Sequence, residues 1–267
     1  MNIIDRGTGT PVVLIPGIQG RWEWMAPAVD ALSQRCRVIT FSLCDEPSSG
    51  FVSEPARGVE NYLDQLDQVF ARTGLSDAIV IGVSYSGPVA MEFTVRHPER
   101  VRALILVSAL PPDWQPDARA QFYLRAPLLF SPIFFIDAPM RAFREVRAAL
   151  PLLGPRARFS AMQLGRAARY FLSPTRMATR IGWLGRFRFS DPSRIRKPVM
   201  VITGEPGLDC VVPPALTHRY VDAIPNARHA VIPRTGHLCL LTKPNEFTNL
   251  ICRFLDEIPD DGRRASA

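Results

Sequence analysis

Ala78-Ile79-Val80-Ile81-Gly82-Val83-Ser84-Tyr85-Ser86-Gly87-Pro88-Val89-Ala90-Met91-Glu92 is an apolar, β-branched run that stops at a cluster of small residues and resumes behind a proline. A short run of this kind reads as a strand buried on both faces. Pro88 stands where proline suits the first turn of a helix. Ser84 therefore falls on a sharp strand-to-helix turn, which presents its side chain beyond the strand's end. So tight a turn tolerates only small residues two positions either side, and Gly82 and Ser86 meet that demand. The helix start also offers the Tyr85 N–H to a developing negative charge, one half of an oxyanion hole.

Working outward, strand-like runs recur at residues 11–15, 37–41, 103–107, 198–203 and 229–232. Helical stretches lie between them. Residues 59–73 carry apolar Tyr62, Leu63, Leu66, Val69 and Phe70 at helical spacing, closed by Gly74 as a C-cap. This alternation predicts a doubly wound, mostly parallel α/β sheet. It stops after Leu110 and resumes at Pro198. The intervening sequence is rich in arginine, aromatics and proline, with helices predicted over 117–125, 138–150, 156–171 and 175–184. We expect residues 1–110 and 195–258 to form the core, residues 111–194 to form an inserted helical cap roofing the strands' carboxyl ends, and residues 259–267 to be a flexible tail.

Composition narrows the class. A chain of 267 residues can bury a full α/β core, and 47% hydrophobic with 21% charged residues places it among globular proteins rather than disordered ones. The net charge of +7 is local, because residues 111–194 hold 14 Arg and five acids while the remainder is slightly acidic. No recognition-helix or RNP-type pattern accompanies that basic segment, so no nucleic-acid partner is expected. No signal-peptide pattern opens the chain and no apolar run reaches membrane-spanning length, which predicts a cytoplasmic protein without stable membrane insertion. The five cysteines (Cys36, Cys44, Cys210, Cys239, Cys252) lack zinc-site spacing and read as reduced structural thiols, with no metal expected.

Two further segments bear on Ser84. Thr203-Gly204-Glu205 ends a strand and runs into Pro206-Gly207-Leu208-Asp209-Cys210-Val211-Val212-Pro213, and Ile232-Pro233-Arg234-Thr235-Gly236-His237-Leu238 places a histidine on a loop after the last strand. From about Ile3 to Phe254 the chain resembles the α/β-hydrolase superfamily, whose nucleophile elbow reads G-x-S-x-G and whose triad follows in the order Ser, Asp, His. The resemblance implies Ser84 as nucleophile, Asp209 as orienting acid and His237 as general base, and it implies no cofactor. Glu205 and Asp113 are the substitutes for Asp209 to examine. Three features depart from the pattern: Ser86 replaces the usual glycine, the interval from Gly204 to Asp209 is two residues longer than common, and Pro16-Gly17-Ile18-Gln19-Gly20 stands where the family often has His-Gly. In that last segment the Ile18 N–H is the candidate second oxyanion donor, without the histidine that often braces the loop. A long N-terminal hairpin must shrink to little beyond residues 2–5.

The expected activity is cleavage of a carboxylic ester through a Ser84 acyl-enzyme, with a small-molecule acyl substrate as partner. Thioester, lactone and carbon-carbon cleavage stay open on the same triad, as does a non-catalytic ligand-binding role or a basic surface that associates with membranes. Trp22 and Trp24 either wall the acyl pocket or pack on the sheet. Phe130 and Phe134, within the apolar stretch 122–136, either line that pocket or fasten the cap. An inward-pointing Arg125, Arg141, Arg144 or Arg169 would favour an anionic group on the substrate.

Overall fold

The computed structural model describes residues 1–258, apart from the side chains of Arg119, Ser131, Phe134, Phe135 and Ala138. The tail expected over 259–267 lies outside the described residues. In chain order the core begins with strands β1 (Ile3–Arg6) and β2 (Pro11–Ile15), helix α1 (Ala26–Leu32), β3 (Arg37–Phe41), α2 (Glu60–Thr73), β4 (Ala78–Val83), α3 (Gly87–Arg96) and β5 (Val101–Val107). Four helices follow: α4 (Ala118–Arg125), α5 (Pro127–Ala149), α6 (Leu153–Arg169) and α7 (Pro174–Arg186). The core then resumes with β6 (Val199–Thr203), α8 (Pro214–Ala223), β7 (Arg228–Val231), the short α9 (Cys239–Thr242) and α10 (Pro244–Asp256).

The seven strands form one sheet in the order β1-β3-β2-β4-β5-β6-β7, with β1 antiparallel to β3 and every other pairing parallel. Successive side chains on a strand point to opposite faces, so each parallel strand must be apolar throughout to be covered on both. On one face Val13, Ile15, Val80, Leu104 and Leu106 meet Leu66, Val69 and Phe70 of α2 and Val89 and Phe93 of α3. On the other, Val12, Leu14, Ile79, Ile81 and Ile105 meet Ala28, Val29 and Leu32 of α1 and Phe247, Ile251 and Phe254 of α10. The α2 helix ends as its sequence demands, with Gly74 at φ 66° and its N–H donated to Phe70 O.

Chain progression reverses direction between β2 and β4: β3 is added to one side of β2 and β4 to the other. A crevice opens at the carboxyl ends of two strands whose connections diverge, and such switch points are where open α/β sheets bind ligands. The loop after β2 and the turn carrying Ser84 after β4 face each other across it.

The expectation for residues 127–136 needs correction. The sequence pattern starts a helix only at residue 138 and predicts none over 127–137, where Pro127 and Pro132 interrupt the apolar run, yet α5 runs from Pro127 through Pro132 and Pro139. Pro127 occupies the first turn, where no N–H is required. Each internal proline removes one backbone bond, a loss offset by the packing of α5 against α4 and α7. No helix among the described residues is long and apolar enough to cross a membrane.

Because Ile105 sits in the middle of the sheet with no exposed surface, Ile105→Ala should lower stability by about 2–5 kcal/mol. The check is urea unfolding, where the midpoint falls while the slope stays constant.

Candidate active site

The turn after β4 sets the geometry. Ser84 has φ 54°, a left-handed conformation that non-glycine residues seldom adopt. Its neighbours explain how the turn closes. A Cβ on Gly82 would lie 2.7 Å from Ala90 Cβ and 2.8 Å from Ser86 O, and one on Gly87 would lie 2.4 Å from Ala109 Cβ. The Ser86 substitution is accommodated and used: its hydroxyl accepts from Val83 N at 2.9 Å and lies 3.0 Å from both Ile15 O and Val83 O, either of which can take its proton. A serine here thus ties the turn to the end of β2, which a glycine cannot do.

His237 and Asp209 arrive from two loops that interlock through glycines. A Cβ on Gly236 would stand 2.5 Å from Leu208 O and 2.6 Å from Asp209 N, and one on Gly204 would stand 2.4 Å from Thr235 O. Backbone therefore lies directly on backbone, and Glu205 N donates to Thr235 O at 2.7 Å. The two extra residues before Asp209 are absorbed in a turn. Leu208 N bonds Glu205 O at 3.1 Å, with Pro206 followed by Gly207 at φ 84°, the residue pattern of a type II turn.

The three side chains meet in line. His237 Nε2 is 3.0 Å from Ser84 Oγ, and His237 Nδ1 is 3.2 Å from Asp209 Oδ2. Asp209 Oδ1 accepts from the N–H groups of Val211 at 3.0 Å and Val212 at 2.8 Å, which fixes the carboxylate's orientation. Burial pushes the Asp209 carboxyl up, but the His237 charge, its hydrogen bond and those two N–H groups outweigh burial and hold it below the usual range. Burial likewise pulls His237 down, and the facing Asp209 and Glu145 carboxylates reverse the sign and raise it. Glu205 and Asp113 are not at this position; Asp113 pairs with Arg219 at the surface. His229 bonds Thr203 Oγ1, and His218 faces Asp222.

Gly17 places the loop after β2 beside Ser84, since a Cβ there would be 3.6 Å from Ser84 Cβ and 3.4 Å from Val83 O. Ile18 and Tyr85 thus flank Ser84 from two elements. Trp22 packs against the α1 and α10 side of the core with Arg6 over its ring, which is the sheet-packing alternative. Trp24 is half-buried with its indole N–H buried and unpartnered. Phe130 stacks on Phe122 with centroids 4.0 Å apart, a contact between α5 and α4. The side chain of Phe134 lies outside the described residues.

Two residues of the helical segment reach the site without any sequence signal having singled them out. Glu145, on α5, is buried and accepts from Leu238 N at 2.6 Å, beside His237. Burial pushes its carboxyl up to about 7 against the pull of the Gly236 and Leu238 N–H groups. Arg180, on α7, has no exposed surface. Its Nη1 donates to Ile18 O at 2.6 Å, its Nε lies 2.9 Å from Asp45, and its Nη2 pairs with Glu46. The arginines considered for an inward anion site behave otherwise: Arg125, Arg144 and Arg169 are exposed, and Arg141 pairs with Asp137. In a segment with so many arginines, only tertiary packing could distinguish Arg180.

A sharp turn bearing a serine, with a histidine and a buried aspartate in line behind it, thus stands at the carboxyl edge of a doubly wound α/β sheet. A family model described as alpha/beta hydrolase family matches residues 12–250, and the chain belongs to that family. It is 28% identical over 263 residues to a protein of Azorhizobium caulinodans named "Putative carbamate hydrolase RutD", covering 94% of this chain and 93% of that one. Among solved structures, it superposes on a bromoperoxidase from Bacillus anthracis with TM-score 0.77 at 22% identity, covering 96% and 95% of the two chains. It also superposes on an esterase from Exiguobacterium antarcticum with TM-score 0.75 at 18% identity, covering 95% and 94%.

The crowding around Gly82 makes a direct structural test. Gly82→Ala should destabilise the protein by about 1–3 kcal/mol, because backbone and Ala90 must move to admit one methyl. A thermal melt reads this as a lowered midpoint, and an unchanged midpoint would show that the turn is looser than described.

Proposed function

We propose that this protein is a serine hydrolase that cleaves a carboxylic ester through a Ser84 acyl-enzyme. The observation that carries this reading is the in-line contact of Ser84 Oγ, His237 and Asp209. A serine hydroxyl is a weak nucleophile at neutral pH, so an imidazole must take its proton as Oγ attacks the carbonyl. His237 Nε2 is in place to do so, and Asp209 favours the imidazolium that results. The carbonyl oxygen becomes an oxyanion facing the Ile18 and Tyr85 N–H groups. His237 then protonates the leaving alcohol, and a water molecule, deprotonated by the same imidazole, releases the acid. In this reading helices α4 to α7 form the cap over the site, and no step is assigned to a metal or cofactor.

A carbamate is a second reading, favoured by the relative named a carbamate hydrolase. Its carbonyl is planar and leaves an alkoxide as an ester does, so the same attack gives a carbamoyl-enzyme. Turnover of p-nitrophenyl butyrate and p-nitrophenyl N-methylcarbamate separates the two. On whichever is hydrolysed, Ser84→Ala should lower kcat by about 10⁴–10⁶. Equal turnover by variant and wild type would remove Ser84 from the chemistry.

The pH profile should report Glu145. His237 must be neutral to accept the Ser84 proton, so activity falls as pH drops through the histidine's raised range. Asp209 and Glu145 are the carboxylates that raise it. With its carboxyl raised to about 7, Glu145 is only partly ionised over the acid limb, so Glu145→Gln removes a fraction of a negative charge while keeping an acceptor for Leu238 N, and the limb should move to lower pH by well under about one unit. The measurement is kcat/KM against pH for both proteins.

A further inference from the structure

We propose that Arg180 is a positioning residue for the hydrolytic reaction, holding both backbone donors of the oxyanion hole from within the helical segment. This rests on the Ser84 reading above and adds a residue to it. Three contacts carry it. The guanidinium Nη1 donates to Ile18 O at 2.6 Å, so it grips the residue whose N–H is one donor. The Tyr85 phenol donates to the Arg180 main-chain oxygen at 2.9 Å, so the residue supplying the other donor is moored to the same position of α7. The loop also wraps the guanidinium: Gly20 has φ 77°, and a Cβ there would stand 2.3 Å from Arg180 Nη2.

The charge is held as well as the geometry. Arg180 is fully buried and meets two carboxylates on the loop after β3, Asp45 and Glu46. Leu43 N on that loop donates to Gly20 O at 2.6 Å, which closes a ring of contacts from α7 through both loops. A planar fork with five donors can serve Ile18 O and both carboxylates at once, which an ammonium cannot. The loop after β2 lacks the histidine that often braces it, and an arginine more than 160 positions downstream supplies the brace. An α7 that is unseated thus removes one tether from each donor.

The experiment uses the intact protein with p-nitrophenyl butyrate or its carbamate counterpart as substrate and an alkyl trifluoromethyl ketone as probe. Ser84 Oγ adds to the ketone carbon, His237 takes the serine proton, and the carbonyl oxygen becomes an oxyanion in the hole. Tyr85→Phe removes one tether with little risk to folding, and Arg180→Lys keeps a charge but loses the fork. We expect kcat to fall about tenfold in Tyr85→Phe and further in Arg180→Lys, with KM changed less than about threefold and the ketone Ki weakened by the same factor as kcat. A merely structural arginine would lower the melting temperature and leave kcat and Ki of the folded protein alone. Wild-type kcat and Ki in Tyr85→Phe, or a kcat loss that Ki does not follow, overturns the proposal and leaves Ser84 in place. A Ser84→Ala protein as active as wild type, or a wild type inactive on both substrates, overturns the Ser84 reading and this proposal with it.

Discussion

Everything at the site depends on one backbone constraint, the left-handed turn at Ser84. A non-glycine residue at positive φ costs on the order of 1–3 kcal/mol and persists only when its surroundings leave no alternative. Here β4 is locked between β2 and β5, α3 is pressed onto the sheet, and Gly82 and Gly87 have no Cβ in the way. The chain must then reverse within a few residues, and the reversal projects Oγ over the sheet edge. The Ser86 hydroxyl tightens the reversal by linking it to β2, so Ser84 and the loop after β2 share one support.

A second constraint brings the other two groups to the serine. Asp209 and His237 lie on loops after β6 and β7, strands that are not adjacent to β4, and each loop must cross several ångströms to reach it. They do so as a unit, because the glycines at 204 and 236 let the two backbones touch. Electrostatics then reinforces packing. Each of the two buried groups would prefer its neutral form alone, and each shifts the other toward the charged form. The pair thus favours a proton on the imidazole beside an ionised Asp209.

The helical segment between β5 and β6 is tied to the loops that surround Ser84. Its buried Glu145 bonds the histidine loop, and its buried Arg180 bonds the loop after β2. Both are charged groups withdrawn from water, costly to bury without partners and found here with several. Helices α5 and α7 are accordingly joined to the loops around Ser84 by polar contacts, while Arg125, Arg144 and Arg169 of the same segment are exposed.

The strands, their order of appearance and the turn and loops that carry Ser84, Asp209 and His237 were legible in the sequence because they depend on local rules. A strand covered on both faces must be continuously apolar, a sharp turn must be built from small residues, and the loops holding Asp209 and His237 carry their own glycines and prolines. The second half of α5 is legible as the helix predicted over 138–150, whereas residues 127–137 are not, because Pro127 and Pro132 read locally as breaks and only packing against α4 and α7 sustains the helix through Pro132. Glu145 and Arg180 were invisible because nothing in their own neighbourhoods in the chain marks them. Each is one charged residue in a segment of many, and its partners lie 93 and more than 130 positions away. Which charge becomes buried is decided by where the helices land on the core, and that is a property of the folded chain alone.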